Sequence, residues 1–218
     1  MDHFQSITWC AELLNRPNTI PYTLPSRIED DGNGNSESQD LFFRQNLKKD
    51  DLIPHALGLY QDPFANLKST DPLDLDFGPG ARFLVPSSTT LFDLGTGLQG
   101  FKGSVHGAVT FTIAGEAMGS LVFINKVAYI EALAAGKVSL MEGIVKMDEV
   151  EWLGGEFNVQ YMKPMPIPQV VLVTSTVRKI KGRKAFIEVE VKNKEGVKYA
   201  TCEGIWISVA KAKPRSKL

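Results

Sequence analysis

The chain has 218 residues, 43% of them hydrophobic and 22% charged, with a formal net charge of −1. That length suits one domain, or a compact domain with an extension, and the composition excludes disordered, fibrous and membrane-embedded classes. So small a net charge draws in neither nucleic acid nor an anionic membrane, and neither is expected as a partner.

In chain order, "MDHFQSITWCAELLNRP" mixes Glu12, Asn15 and Arg16 among its apolar residues. It has neither the basic start nor the apolar run of a secretory signal, so a cytoplasmic protein is expected. Asp2 is placed to cap a short helix in which Phe4, Ile7, Ala11 and Leu14 recur at helical spacing. The two cysteines, Cys10 and Cys202, form no CxxC or CxxH pair, which argues against a disulfide framework or a zinc site and for a reducing compartment. Eight of the 12 prolines precede residue 90, together with the polar run "EDDGNGNSESQD" from Glu29 to Asp40. Residues 1–94 therefore read as an irregular extension whose short helices pack on the C-terminal domain. The stretch "LFFRQNLKKDDLIPHALGLY", Leu41 to Tyr60, adds one more short element, and its His55 reads as a packing histidine without a chemical role.

From Gly103 to Asn125 the only side chains able to carry charge are His106 and Glu116, while apolar residues occupy all sides of a helical projection. A helix apolar all round is a buried one, here expected from residue 107 to 124. Burying an unpartnered carboxylate costs several kcal/mol, so Glu116 must be hydrogen-bonded, protonated or open to a cavity, and each state perturbs its pKa. At the helix start, backbone N–H groups lack intrahelical partners and the positive end of the dipole lies behind them. Gly107 and Ala108 are small enough to let a carbonyl oxygen approach those donors. The plainer alternative is that His106 merely caps the helix and Gly107 permits a turn.

After the helix, "EFNVQYMKP", "QVVLVTSTVRK", "KAFIEVEVKN" and "VKYATCEGIWISV" are rich in β-branched and aromatic residues and are separated by turn signals, which predicts four antiparallel strands. In the third, Ile187, Val189 and Val191 alternate with Glu188 and Glu190, so one sheet face packs inward, most simply on the apolar helix.

This order of pieces resembles the hotdog-fold acyl-CoA thioesterase superfamily over about Gly95 to Val209. The resemblance rests on "LQGFKGSVHGAVTFTIAGEAMG", the Tyr161-x-x-Pro164 step, the Gly182-Arg183-Lys184 turn and the Glu195-Gly196 turn. It implies an α+β hotdog domain over 95–210, with an antiparallel sheet wrapped around one long central helix, an N-terminal extension of fungal type and a basic tail over 211–218. It implies hydrolysis of an acyl thioester linked to coenzyme A or to a carrier protein, with no cofactor beyond coenzyme A as part of the substrate, in a homodimer or higher oligomer. The family's His-Gly matches His106 and Gly107, and the Ala108 N–H stands as the oxyanion donor. The acid usual nine residues after the histidine falls on Gly115, and Glu116 follows it. Glu116 then reaches the site through a shifted helix, another segment supplies the acid, or the pocket serves a reaction without activated water. Alternative functions are therefore a non-hydrolytic enzyme, an isomerase, dehydratase or cyclase of a polyketide-like intermediate, and an inactive binding protein. Gly115 also enlarges the pocket.

The basic turn "RKIKGRK" offers Arg178, Arg183 and Lys184 to coenzyme A phosphates, or is a solvated hairpin. Gln99 is placed at the pocket mouth by the resemblance, whereas Tyr161 and Pro164 read as ending a strand. Trp9, Trp152 and Trp206 read as packing aromatics. No GxxxxGK[ST], HExxH, GxSxG or clustered Cys/His appears, so no metal site is expected and nucleotide hydrolysis is disfavoured.

Overall fold

A computed structural model of the chain describes residues 1–28, 40–65, 80–137 and 142–211. Most of the polar run from Glu29 and the end of the basic tail, 212–218, lie outside the described residues. Two short helices, α1 (Asp2–Gln5) and α2 (Thr8–Leu14), lead into the strands β1 (Thr19–Tyr22), β2 (Ala56–Gln61) and β3 (Ser87–Leu94). The hairpin β4 (Gln99–Phe101) and β5 (Ser104–Val105) precedes the long helix α3 (Gly107–Ala134). Four long strands complete the chain: β6 (Val150–Tyr161), β7 (Gln169–Lys181), β8 (Lys184–Lys192) and β9 (Lys198–Ala210). The main sheet has seven strands in the order β1-β2-β3-β7-β8-β9-β6, every neighbouring pair antiparallel.

The four predicted strands and the α+β class stand. In β8 the expected alternation is present, with Ile187, Val189 and Val191 buried on the inner face. Those side chains, with Val171 and Val173 of β7, meet Ile113, Met118 and Leu121 of α3 in one hydrophobic core. Asn125 fastens the same helix to the chain before β3. Its Oδ1 accepts from the Val85 N–H at 2.7 Å and its Nδ2 donates to the Val85 carbonyl at 2.8 Å, in a fully buried setting where unpaired backbone groups are costly.

The structure corrects three expectations. Residues 1–94 are not only an irregular extension, because they supply β1, β2 and β3 to the same sheet as the C-terminal strands. The expected single N-terminal helix is two: Met1, not Asp2, is the N-cap of α1, and the chain turns extended at Ile7 before α2 begins. Phe4, Cys10 and Leu14 still share a face, packed on Leu57, Leu59 and Leu91 in a second hydrophobic cluster. Helix α3 runs past residue 124 to Ala134 and is not covered on all sides: Ala108 and Phe111 are exposed, and Gly115, Gly119 and Val122 along the same stripe are only partly covered. By length and hydropathy α3 is apolar enough to cross a membrane, a property that core helices share, and its other face is packed on the sheet.

Candidate active site

The sequence change at Val105-His106-Gly107 turns a short strand into a helix. His106 is the N-cap, in an extended conformation with φ −63° and ψ 136°. Its Nδ1 accepts the Ala108 N–H at 3.0 Å, and its carbonyl accepts the Val109 N–H at 2.9 Å and the Thr110 N–H at 3.3 Å. The Ala108 N–H, expected as the oxyanion donor, is thus already donated to the histidine cap. The Gly107 N–H is the first-turn donor without a hydrogen bond among the described residues, and it carries the positive end of a helix of 28 residues.

A cavity of about 700 Å³ opens at this helix end. The β4–β5 hairpin forms one wall and the chain from Tyr161 to Met165 the other. The two walls are tied together by the Val105 N–H donating to the Met165 carbonyl at 2.9 Å and the Ile167 N–H donating to the Gly103 carbonyl at 3.2 Å. Most of the lining surface is apolar, with polar groups from Ser104, His106, Thr110, Tyr161, Lys163 and Tyr199, and it includes no carboxylate among the described residues. Tyr161, read from sequence as a strand end, lies over the helix start and donates its hydroxyl to the Gly107 carbonyl at 2.9 Å. A Cβ on Gly107 would sit 3.3 Å from that hydroxyl, so glycine allows the ring its close approach. The Tyr-x-x-Pro step was the available signal for Tyr161, but spacing alone could not show that the ring turns back onto the helix.

Glu116 is not in this cavity. Ten residues along the helix place it roughly 15 Å from His106 along the axis, and it packs under the chain just after β1. There the Ser26 hydroxyl donates to Glu116 Oε1 at 2.5 Å, and the largely buried Arg27, anchored on the Ile53 carbonyl at 2.9 Å, is the nearby cation. Burial pushes the Glu116 carboxyl up to about 7, with Asp40 adding to the shift and the Ser26 hydrogen bond and Arg27 opposing it. The Tyr22 phenol, beside the hydroxyls of Ser88, Thr90 and Ser120, belongs to the same polar interior. Gly58, opposite Tyr22 in the sheet, leaves room for that ring, which a Cβ would meet at 2.2 Å. The acid is therefore largely buried and perturbed, as its place in an apolar helix required, but it is covered by residues of the N-terminal part that no local pattern identified.

Gly115 faces the open stripe of α3 and not the cavity, and a Cβ there meets nothing within 4 Å. Gln99 turns its side chain into its own hairpin, its Oε1 accepting the Gly103 N–H at 2.8 Å, while its neighbours Gly100 and Phe101 line the cavity. The basic turn is remote. Lys184 lies opposite Ile207, eight residues along β9 from the cavity residue Tyr199, which is roughly 26 Å of strand. Arg178 is ion-paired with Glu188, and Arg183 donates from Nε to the Ser208 carbonyl at 2.9 Å. Within one chain, then, the structure brings together His106, Gly107 and Ala108 and leaves Glu116, Gly115, Arg178, Arg183 and Lys184 elsewhere.

The thioesterase superfamily model matches residues 102–200. Verlamelin biosynthesis protein B of Lecanicillium sp is 25% identical over an alignment covering 100% of this chain and 91% of that protein. Acyl-coenzyme A thioesterase THEM4 of Mus musculus is 23% identical, covering 88% of this chain and 70% of its own length. Among solved structures, a hypothetical thioesterase protein with coenzyme A from Streptococcus pneumoniae TIGR4 aligns with a TM-score of 0.44 and 12% identity, over 62% of this chain and 85% of that one. The E. coli PaaI protein from the phenylacetic acid degradation operon aligns with a TM-score of 0.43 and 11% identity, over 57% and 73% respectively.

Proposed function

We propose that the chain, whose residues 102–200 match the thioesterase superfamily model, hydrolyses an acyl thioester linked to coenzyme A or to a carrier protein. The observation that carries this reading is the unpaired Gly107 N–H at the head of α3, opening on a largely apolar cavity of about 700 Å³. A thioester carbonyl placed there has its oxygen on the Gly107 donor, where developing negative charge is worth roughly 3–4 kcal/mol per donor. The acyl chain lies against the apolar wall. His106 fixes the turn through its bond to the Ala108 N–H, and Tyr161 holds the Gly107 carbonyl and so the peptide plane of the first turn.

A general base with a pKa near the working pH is the efficient one, and Glu116 at about 7 has that property. It stands outside the single-chain cavity, and the open stripe beside it is apolar. We therefore place the working site in a homo-oligomer, where the cavity at Gly107 of one chain meets the stripe of Phe111 and Gly115 on its neighbour, and Glu116, the residue after Gly115, is the acid that orients water. The relative named as an acyl-coenzyme A thioesterase supports a thioester substrate, and the one named as a verlamelin biosynthesis protein supports a place in secondary metabolism.

The absence of a carboxylate from the cavity lining favours a second reading: an isomerase, dehydratase or cyclase on the same scaffold, or a binding protein. A thiol-release assay over a panel of acyl-coenzyme A substrates separates them. The hydrolase reading predicts turnover that falls about 10²–10⁴-fold in Glu116→Gln. Ligand-dependent thermal stabilisation with no thiol release supports the second reading.

A further inference from the structure

On the sheet face away from α3, three side chains from distant parts of the sequence meet: His3 on α1, His55 just before β2 and Asp93 on β3. Each offers one ligand atom, a ring nitrogen or a carboxylate oxygen, and the three atoms lie within 4.8 Å of one another. The His3 and His55 rings are stacked, with centroids 3.8 Å apart and an interplanar angle of 18°, and the Phe4 ring edges against both. Asp93 is tied to the same place through its backbone, its N–H donating to the His55 carbonyl at 3.0 Å.

The contact between His3 and Asp93 is unusual in one respect. His3 Nε2 is 3.0 Å from Asp93 Oδ2, yet that nitrogen is buried and makes no hydrogen bond, so the oxygen sits off the ring N–H axis. Two donors bound to one metal at about 2.0–2.2 Å are held some 3.0–3.4 Å apart, with no need for either to point at the other. Imidazole nitrogen with carboxylate oxygen is the donor set of borderline divalent ions. We propose that His3, His55 and Asp93 bind a divalent transition-metal ion of the zinc or nickel class, which tethers α1 to β2 and β3. The exposed His55 gives the ion access from solvent, and on loading its ring turns out of the stack on His3 so that an in-plane nitrogen of each ring faces the ion, with the remaining coordination positions left to water. None of the three residues lines the His106 cavity, so the site is independent of the proposed reaction. It also assigns a ligand role to His55, which reads from sequence as a packing residue, because the partners it needs lie roughly 50 residues before it and 40 after it.

The test uses the untagged full chain, stripped with chelator and titrated with zinc chloride and separately with nickel chloride, with calorimetric binding and thermal unfolding as readouts. One ion per chain is expected, with a rise in Tm on loading. His55→Gln and Asp93→Asn are each expected to weaken binding by at least about tenfold, because even an outer partner of a metal ligand is worth that much. His55 is exposed, so its variant keeps the fold, and the Asp93 backbone bond survives in Asp93→Asn. Wild-type protein that binds neither ion below millimolar concentration overturns the proposal. Binding undiminished in both His3→Gln and His55→Gln, which leave His106 and the two cysteines, overturns it equally.

Discussion

Glu116 illustrates how much one residue can reveal before its neighbours are known. An acid in an apolar helix has to have a perturbed pKa, and it does: burial raises it and Asp40 adds to the shift, while Ser26 and Arg27, up to 90 residues earlier, oppose it. Nothing in the spacing of those residues marks them as its partners, since their approach is a product of tertiary folding. The consequence for stability has a definite sign. The folded-state value, about 7, lies above the ordinary value of 4.5, so the protonated form is the one folding favours. That contribution is complete below about pH 4.5 and is lost as pH rises through about 7. Glu116→Gln, which keeps an acceptor for Ser26 and cannot ionise, is therefore predicted to melt higher than the wild type above neutral pH. The advantage should vanish below about pH 4.5, and thermal melts across that range check it. A difference in Tm independent of pH would mean that burial is not what holds the acid.

The elements divide by how openly their sequences advertise them. Strands β6 to β9 are legible because apolar and β-branched residues alternate between turn signals, and α3 because an apolar run follows a histidine-glycine step. The first three strands are not, for reasons specific to each. Strand β1 carries Pro21, which a sheet tolerates because β1 is an edge strand. Strand β2 contains Gly58, required beneath the Tyr22 ring. In β3 the inward positions include Ser88 and Thr90, buried hydroxyls where a pattern search looks for Val or Ile. The chain leading into β3 is held by Asn125 of α3, whose side chain closes both backbone groups of Val85. Asn125→Ala leaves that N–H and that carbonyl buried and unpaired, with an expected loss of about 2–4 kcal/mol. Denaturant unfolding of the folded variant measures it, and a loss within error of zero would show that the pair finds other partners.

At the scale of the whole molecule, one chain leaves surfaces that a soluble protein does not ordinarily expose together. Among the described residues, strand β6 ends the sheet with an unpaired edge of 12 residues on which Leu153 is 55% exposed. Phe101 and Met162 rim the cavity, and Phe111 opens the α3 stripe. These are the features from which the homo-oligomer is argued, and they predict a light-scattering mass of two chains or more, shifted toward one chain by Leu153→Arg. A wild-type protein that stays a single chain at high concentration would leave the site without its neighbour.

The proposed hydrolysis rests on the Gly107 N–H receiving the thioester oxygen. Gly107→Pro tests it most directly. Proline lacks that N–H, is well accepted at the first position of a helix, and asks the preceding residue for the extended conformation His106 already has, φ −63° and ψ 136°. Gly107→Ala is the matched control: it keeps the donor, and its Cβ needs only a small yield from the Tyr161 hydroxyl. With both variants folded, thiol release from the preferred acyl thioester should fall about 100- to 1,000-fold in the proline variant and stay near wild type in the alanine variant. Equal turnover in the two would contradict the account.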